Sequence, residues 1–164
     1  MEELIEQSDD MKRLHPESVN TVRIPAYRTR KGLVVHRPFL RVGTGAHIVD
    51  NGGNGGILIA VDKETGTTIS LGVDERGIKY VYHPDTKILL VGIQLPEWSK
   101  AITIVKKAMD MVPNGINIVG WDLAHTDHGW VIVEGNHKGQ FVGQQMAYMS
   151  PCKDEVENIL KEID

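Results

Sequence analysis

The sequence predicts an α+β fold in which helices pack against a mainly antiparallel β-sheet. Short apolar runs alternate with turn-forming residues along most of the chain, which is typical of strands joined by hairpins. With 17 glycines among its 164 residues, the chain has the composition of a strand-rich protein with many tight turns. This length is enough to bury a core, and we expect residues 1–164 to form a single domain.

Local signals place the elements along the chain. Ser8 is a typical N-cap residue, and Pro16 ends the short helix that follows it. Because proline cannot donate to a β-ladder, Pro25 and Pro38 predict that their strands lie at an edge or carry a bulge. In chain order, the expected elements are a helix at residues 9–14, strands at 19–30, 33–42, 57–62, 67–72, 78–82 and 88–91, a helix at 96–112, a hairpin at 120–136, a polar loop at 137–150 and a helix at 151–160.

Residues 96–112 carry the clearest helical pattern. Pro96 is favoured at a first helical position, and Glu97 places a negative charge near the positive end of the helix dipole. The run Pro113-Asn114-Gly115 ends the helix. Apolar side chains recur at helical spacing and predict a face that packs on the sheet: Trp98, Ala101, Ile102, Val105, Ala108 and Met109.

Residues 120–136 are predicted to form a β-hairpin that carries an oxygen-rich site. With a three-residue loop at residues 127–129, Asp122 lies opposite Glu134. Glu134 and Asn136 are two residues apart on one strand, so their side chains share a face. Two carboxylates and an amide oxygen in this arrangement suit Mg²⁺ with a phosphate substrate. The alternative from spacing alone is a hairpin whose polar side chains face water.

Two further parts of the chain are candidates for binding phosphate or substrate. Arg23 lies in the first predicted strand, where its guanidinium could clamp phosphate oxygens or its stem could cover apolar surface. Residues 43–56 are the most glycine-rich stretch, with Arg41 just before it and Asp50-Asn51 in its middle. This stretch matches neither the P-loop nor the dinucleotide-binding pattern, so it suits a ligand-binding loop and a flexible connection equally well.

Composition excludes several classes of protein. The net charge of −4 provides no general basic field that would attract nucleic acid. The single cysteine, Cys152, excludes an internal disulfide framework and a cysteine-based zinc cluster. The chain opens without a signal peptide and contains no apolar run as long as a membrane span. We therefore expect a cytoplasmic protein without a nucleic-acid partner.

Seven short motifs occur in an order that resembles a known protein family. Together they resemble the sugar-transfer-associated ATP-grasp family, whose members are often labelled hexapeptide transferase family proteins. The resemblance covers nearly the whole chain. The motifs are Ser18-Val19-Asn20-Thr21-Val22-Arg23-Ile24, Arg41-Val42-Gly43, Val49-Asp50-Asn51 with Gly55-Gly56-Ile57, His83-Pro84-Asp85-Thr86, Leu95-Pro96-Glu97-Trp98, Gly120-Trp121-Asp122 and Ile132-Val133-Glu134-Gly135-Asn136.

The resemblance implies a reaction and its cofactors. ATP-grasp enzymes hold ATP between two α+β lobes and typically ligate a carboxylate to an amine through an acyl-phosphate. The chain would then use ATP and Mg²⁺ to act on a small carboxylate or sugar-linked substrate, in cell-surface polysaccharide or sugar-linked metabolism. Asp122, Glu134 and Asn136 match the family's magnesium ligands, and Arg23 matches the strand arginine near the ATP phosphates. Arg23 is therefore the candidate catalytic residue, because an arginine neutralises charge that develops on a transferred phosphoryl group.

The remaining motif residues are candidates for substrate recognition under the same resemblance. They are Arg41, Asp50, Asn51, His83 and Asp85.

The resemblance is to the C-terminal lobe of an ATP-grasp enzyme. The family's earlier lobe, with the lysines that grip the α- and β-phosphates, has no counterpart in this sequence. Residues 2–5 resemble the tail of the hinge strand that contacts adenine. We therefore expect half of the nucleotide site to be absent and this chain to be inactive alone.

Two other functions remain open from the sequence. The first is a non-catalytic binding or assembly module, or a homodimerising domain. The second is a zinc hydrolase that uses His125, His128 and His137, although their spacing matches no common zinc pattern.

Overall fold

A computed structural model of the protein describes residues 5–45, 56–137 and 141–163. Within these segments the chain forms four helices and one eight-stranded sheet, in which the described pairs of strands are antiparallel. The predicted α+β class is confirmed. None of the described helices is long and apolar enough to cross a membrane. In chain order the elements are α1 (Asp9–Lys12), β1 (Thr21–Thr29), β2 (Gly32–Val35), β3 (Phe39–Val42), β4 (Ile57–Ala60), β5 (Gly72–Val73), β6 (Lys79–Tyr80), α2 (Trp98–Met111), β7 (Ile118–Thr126), β8 (Gly129–Asn136), α3 (Val142–Tyr148) and α4 (Lys153–Leu160).

Strand β1 lies inside the sheet, so the prediction that Pro25 marks an edge or a bulge was wrong. The sheet order is β6-β5-β4-β3-β1-β7-β8, with β2 also paired to β1. Strand β1 pairs with β3 through Thr21–Arg23 and with β2 from Ala26 onward, so Pro25 stands where the partner changes. The Pro25 carbonyl accepts from the His36 N–H at 3.0 Å. The nitrogen of Pro25 points in the same direction as this carbonyl, toward the place where the partner of β1 changes from β3 to β2. The N–H that proline lacks therefore removes no hydrogen bond to either strand.

One face of the sheet packs against α2 and forms the main core. Side chains alternate along β1, so Val22 and Ile24 point to this face while Arg23 points to the other. Helix α2 begins at Trp98, two residues later than predicted, and Glu97 before it takes a left-handed conformation with φ of 44°. The buried members of this core include Val22, Ile24, Leu40, Ile59, Trp98, Ala101, Val105, Leu123 and Trp130.

Helix α3 covers part of the opposite face, in a stretch predicted to be a loop. Its Ala147 packs with Phe39, Leu58, Ala60 and Val73 in a second buried cluster. A Cβ at Gly143 would lie 2.7 Å from the Phe39 ring, so the glycine allows close packing of α3 on β3. Glycine lowers the intrinsic helical preference of residues 142–148, and tertiary packing stabilises the helix instead. The prediction of a loop throughout residues 137–150 was therefore wrong.

Helix α4 is fastened to the connection between β2 and β3 by Glu155. The Glu155 carboxylate contacts Nε2 of His36 at 2.7 Å and accepts from the guanidinium of Arg37. Arg37 also donates to the carbonyls of Ser150 and Pro151, at 2.9 and 3.1 Å. One arginine thus ties the segment between α3 and α4 and the first turn of α4 to the sheet.

We expect this attachment of α4 to weaken in acid. Hydrogen bonds from Arg37 hold the pKa of Glu155 below its usual value, burial opposes this shift, and His36 adds to it. A carboxyl group with a depressed folded pKa stabilises the protein above its unfolded pKa, and this contribution is lost as pH falls through the folded pKa. Glu155→Gln should therefore lower the Tm near neutral pH, and the difference from wild type should shrink at acid pH. Calorimetry across this pH range checks this, and a Tm difference independent of pH would contradict it.

Candidate functional site

The β7–β8 hairpin places Asp122 opposite Glu134, as predicted, but with a different loop. The loop has two residues instead of three, because Thr126 pairs with Gly129. The predicted three-residue loop was wrong. A β-bulge next to Asp122 leaves Val133 without a partner and moves the register by one residue. The shorter loop and the bulge compensate each other, so the pairing of the two carboxylates is the predicted one.

Three charged side chains form a row across three strands. Arg23 on β1 pairs directly with Asp122 on β7, and Asp122 pairs with Glu134 on β8. Directly opposed residues in a sheet point to the same face, so all three lie on the face that α2 does not cover. Asn136 lies two residues beyond Glu134 on this face, and Arg41 on β3 contacts Asp122 from the other side.

Two guanidinium groups contact the Asp122 carboxylate. Arg23 donates from Nε to Oδ1 at 2.5 Å and from Nη2 to Oδ2 at 2.8 Å, which is a bidentate pair. Nη1 of Arg41 lies 3.4 Å from Oδ1. The side chains of Arg23 and Asp122 are only 10% and 5% exposed. Burial raises the pKa of Asp122, Arg41 and Arg23 oppose that rise, and the nearby charge of Glu134 adds to it.

Gly120 makes room for the Arg23 side chain, a role that the sequence analysis missed. A Cβ at Gly120 would lie 2.6 Å from Nη1 of Arg23 and 3.2 Å from its Cδ. The guanidinium therefore lies against the bare backbone of β7 while it bonds to Asp122. The signal in the sequence was a glycine inside a strand, which often marks a close approach by another group.

Asp122, Glu134 and Asn136 offer a donor set that suits Mg²⁺. Glu134 is exposed and Asn136 is half-buried, and neither side chain is hydrogen-bonded to another residue in the described segments. Each Asp122 oxygen accepts one bond from Arg23 and keeps further acceptor capacity. No group of three or more His, Cys, Asp or Glu residues forms a metal cluster in the described part of the chain. Two carboxylates and an amide are sufficient for Mg²⁺ only when substrate phosphates and water complete its coordination.

His83 and Asp85 hydrogen-bond to Gly43 and Gly45, which follow β3, and not to the residues of this row. His83 is fully buried, and its Nδ1 accepts from the Thr86 N–H at 3.2 Å, so Nε2 carries the proton and donates to the Gly43 carbonyl at 2.8 Å. Burial lowers the pKa of His83, which favours this neutral form. Asp85 accepts from the Gly45 N–H at 2.7 Å. These contacts fix the point where the glycine-rich stretch begins.

Asp50 and Asn51, in that stretch, lie outside the described residues. Substrate recognition by Arg41, Asp50, Asn51, His83 and Asp85 stays a prediction.

The three histidines of the zinc hypothesis do not come together. His125 is buried on the α2 face, where its Nδ1 lies 2.8 Å from the Ser8 hydroxyl and its ring packs on Trp130. His128 lies in the hairpin loop, and His137 follows the opposite end of β8. No metal cluster includes them among the described residues, so the zinc hypothesis was wrong. The contact also explains why the Ser8 side chain does not cap α1 as predicted.

A model of the family described as sugar-transfer associated ATP-grasp matches residues 1–161. No curated protein and no solved structure matches the chain. The family assignment implies an ATP-dependent, ligase- or transferase-like function in sugar transfer, with a nucleotide and a second substrate as ligands. Because the match spans almost the whole sequence and agrees with the motifs and the antiparallel α+β fold, the chain belongs to the sugar-transfer associated ATP-grasp family.

Proposed function

We propose that this chain supplies the metal- and phosphate-binding face, the C-terminal lobe, of an ATP- and Mg²⁺-dependent ligase. One observation carries the proposal, namely the row of Arg23, Asp122 and Glu134 across three adjacent strands. These are the residue types that bind phosphate and magnesium, and they share the sheet face that α2 leaves open. The activity would lie in the cytoplasm, where ATP is available, and would serve cell-surface polysaccharide or other sugar-linked metabolism.

Each residue of the site has a proposed role. Asp122, Glu134 and Asn136 would hold Mg²⁺, which, when bound, neutralises charge on the ATP phosphates. Arg23 carries a planar fork of donors that matches phosphate oxygens. Arg41 adds a second positive charge close to Asp122. In phosphoryl transfer the protein acts mainly by positioning groups and by stabilising charge, and this face offers both functions.

In the proposed reaction, a small or sugar-linked carboxylate attacks the γ-phosphorus of ATP, which forms an acyl-phosphate and releases ADP. An amine then attacks the acyl carbon, which forms the amide bond and releases phosphate and a proton. Arg41 and the glycine-rich stretch, which His83 and Asp85 anchor at Gly43 and Gly45, are proposed to contact this substrate.

We expect ATP to bind in a Mg²⁺-dependent manner and Glu134→Gln to weaken that binding. Loss of one carboxylate ligand should cost at least about 1.4 kcal/mol, or about tenfold in Kd. Isothermal titration of ATP in the presence and absence of Mg²⁺ measures this. Glu75→Gln is a matched control, because Glu75 is exposed on the turn between β5 and β6, at the opposite end of the sheet from β7 and β8. Equal affinity of wild type and Glu134→Gln would count against the assigned site.

The alternative of a non-catalytic binding or assembly module, or of a homodimerising domain, stays a prediction. Among the described residues, several apolar side chains are exposed near the edge strand β6, which favours this alternative: Ile78, Val81, Tyr82 and Leu89.

A further inference from the structure

The shortest contact of the site joins two groups that are expected to bind ligands of opposite charge. Arg23, the proposed phosphate ligand, bonds to both oxygens of Asp122, the proposed metal ligand. Both side chains are nearly buried, so water does not compete effectively for either of them. As long as this pair is intact, the Arg23 fork is not available to a phosphate, and Asp122 is shielded by a positive charge.

The charge of the site also opposes the binding of a metal alone. Arg23 and Arg41 contribute two positive charges, and Asp122 and Glu134 contribute two negative charges, so their sum is zero. Among the residues that the structure describes here, a divalent cation that approaches Asp122 would therefore meet no net negative charge from these four side chains, and it would meet two guanidinium groups within contact distance of Asp122. A nucleotide changes both conditions, because its phosphates supply negative charge and offer the Arg23 fork another bidentate partner.

We propose that Arg23 closes Asp122 to metal in the nucleotide-free protein, and that phosphate opens the site by drawing Arg23 away. This inference rests on the proposed function and describes how the same site is regulated. Metal and nucleotide then bind with positive coupling, and by linkage each one raises the affinity of the other by the same factor. Arg23 thus acts on the metal as a competitor and on the phosphate as a ligand.

Arg23→Gln separates these two actions of Arg23. Loss of the competitor should raise the affinity for metal, whereas loss of the phosphate ligand should lower the affinity for ATP. Without nucleotide, the variant should bind Mn²⁺ about tenfold more tightly than wild type, since the competing fork and one positive charge are gone. In the presence of Mg²⁺, the variant should bind ATP about tenfold more weakly, since a charged donor to phosphate is lost. Electron paramagnetic resonance of free Mn²⁺ gives the first affinity and calorimetry gives the second. Arg13→Gln is the control, because Arg13 is an exposed arginine outside the site.

Gly120→Ala provides a second test that keeps every charge of the site. The added Cβ would lie 2.6 Å from Nη1 of Arg23 and should push the fork away from Asp122. This variant should also bind Mn²⁺ alone more tightly than wild type. Far-UV circular dichroism verifies that each variant is folded. If Arg23→Gln does not fold, the Mn²⁺ affinity of Gly120→Ala tests the inference.

The outcomes distinguish the inference from the proposed function. If the wild type does not bind ATP in the presence of Mg²⁺ and neither folded variant binds Mn²⁺ alone, both are overturned. Wild type that binds ATP with Mg²⁺, combined with unchanged or weaker Mn²⁺ binding in the folded variants, would overturn the inference alone.

Discussion

Asp122→Ala will destabilise the protein by about 3–5 kcal/mol, because it leaves the charge of Arg23 buried without its principal partner. The Arg23 side chain is 10% exposed and donates two hydrogen bonds to Asp122. Typical domains have a total stability of about 5–15 kcal/mol, so this loss is large. A domain of this size loses roughly 2–4 °C in Tm per kcal/mol, and calorimetry should therefore show a fall on the order of 10 °C.

The double variant Arg23→Met with Asp122→Leu is the informative control for this prediction. It removes both charges and keeps a similar side-chain volume. Proteins in which a buried ion pair is replaced in this way often retain their stability. The double variant should therefore recover most of the Tm lost by Asp122→Ala. Glu75→Ala, on an exposed turn, should change stability by no more than about 0.5 kcal/mol. If Asp122→Ala unfolds at the wild-type Tm, the pair does not contribute to the fold as its burial indicates.

The candidate site could be predicted from the sequence where it depends on local spacing. Glu134 and Asn136 share a face because strand side chains alternate, and this holds for any pairing of the strand. The pairing of Asp122 with Glu134 was predicted from an incorrect loop length. The pairing is nevertheless correct, because the loop is one residue shorter than predicted and a bulge adds one residue to β8. Bulges have a weak sequence signal, since the extra residue at Val133 is an ordinary strand former.

The parts that could not be predicted depend on contacts between distant residues. Arg23 and Asp122 are 99 positions apart, and only the pairing of β1 with β7 brings them together. Pro25 predicted an edge strand or a bulge, but the change of partner from β3 to β2 makes a proline acceptable inside the sheet. Helix α3 was missed because its formation depends on packing against Phe39 across a glycine, which the local sequence does not show.

Trp98→Ala will cause a second large loss of stability, about 3–5 kcal/mol, which is typical of a buried tryptophan. Trp98 is 5% exposed at the start of α2, and its Nε1 donates to the Lys63 carbonyl at 2.9 Å. Its ring lies directly over Gly66, where a Cβ would overlap the indole. Gly66 also has a φ of 74°, so this turn depends on a glycine for both its conformation and its contact with the ring. The substitution therefore removes a packed side chain and the anchor that holds the turn against α2.

Urea unfolding followed by circular dichroism measures this loss, with Met111→Ala as the matched control on the same helix. Met111 is 85% exposed, and its replacement should change stability by no more than about 0.5 kcal/mol. Equal stability of the two variants would contradict the assignment of Trp98 to the core. Because α2 packs on the sheet face opposite Arg23, Asp122 and Glu134, folded Trp98→Ala protein should keep the wild-type affinity for ATP with Mg²⁺. Asp122→Ala should lose both stability and nucleotide binding, so the pair of variants separates the residues that hold the sheet together from those that form the site.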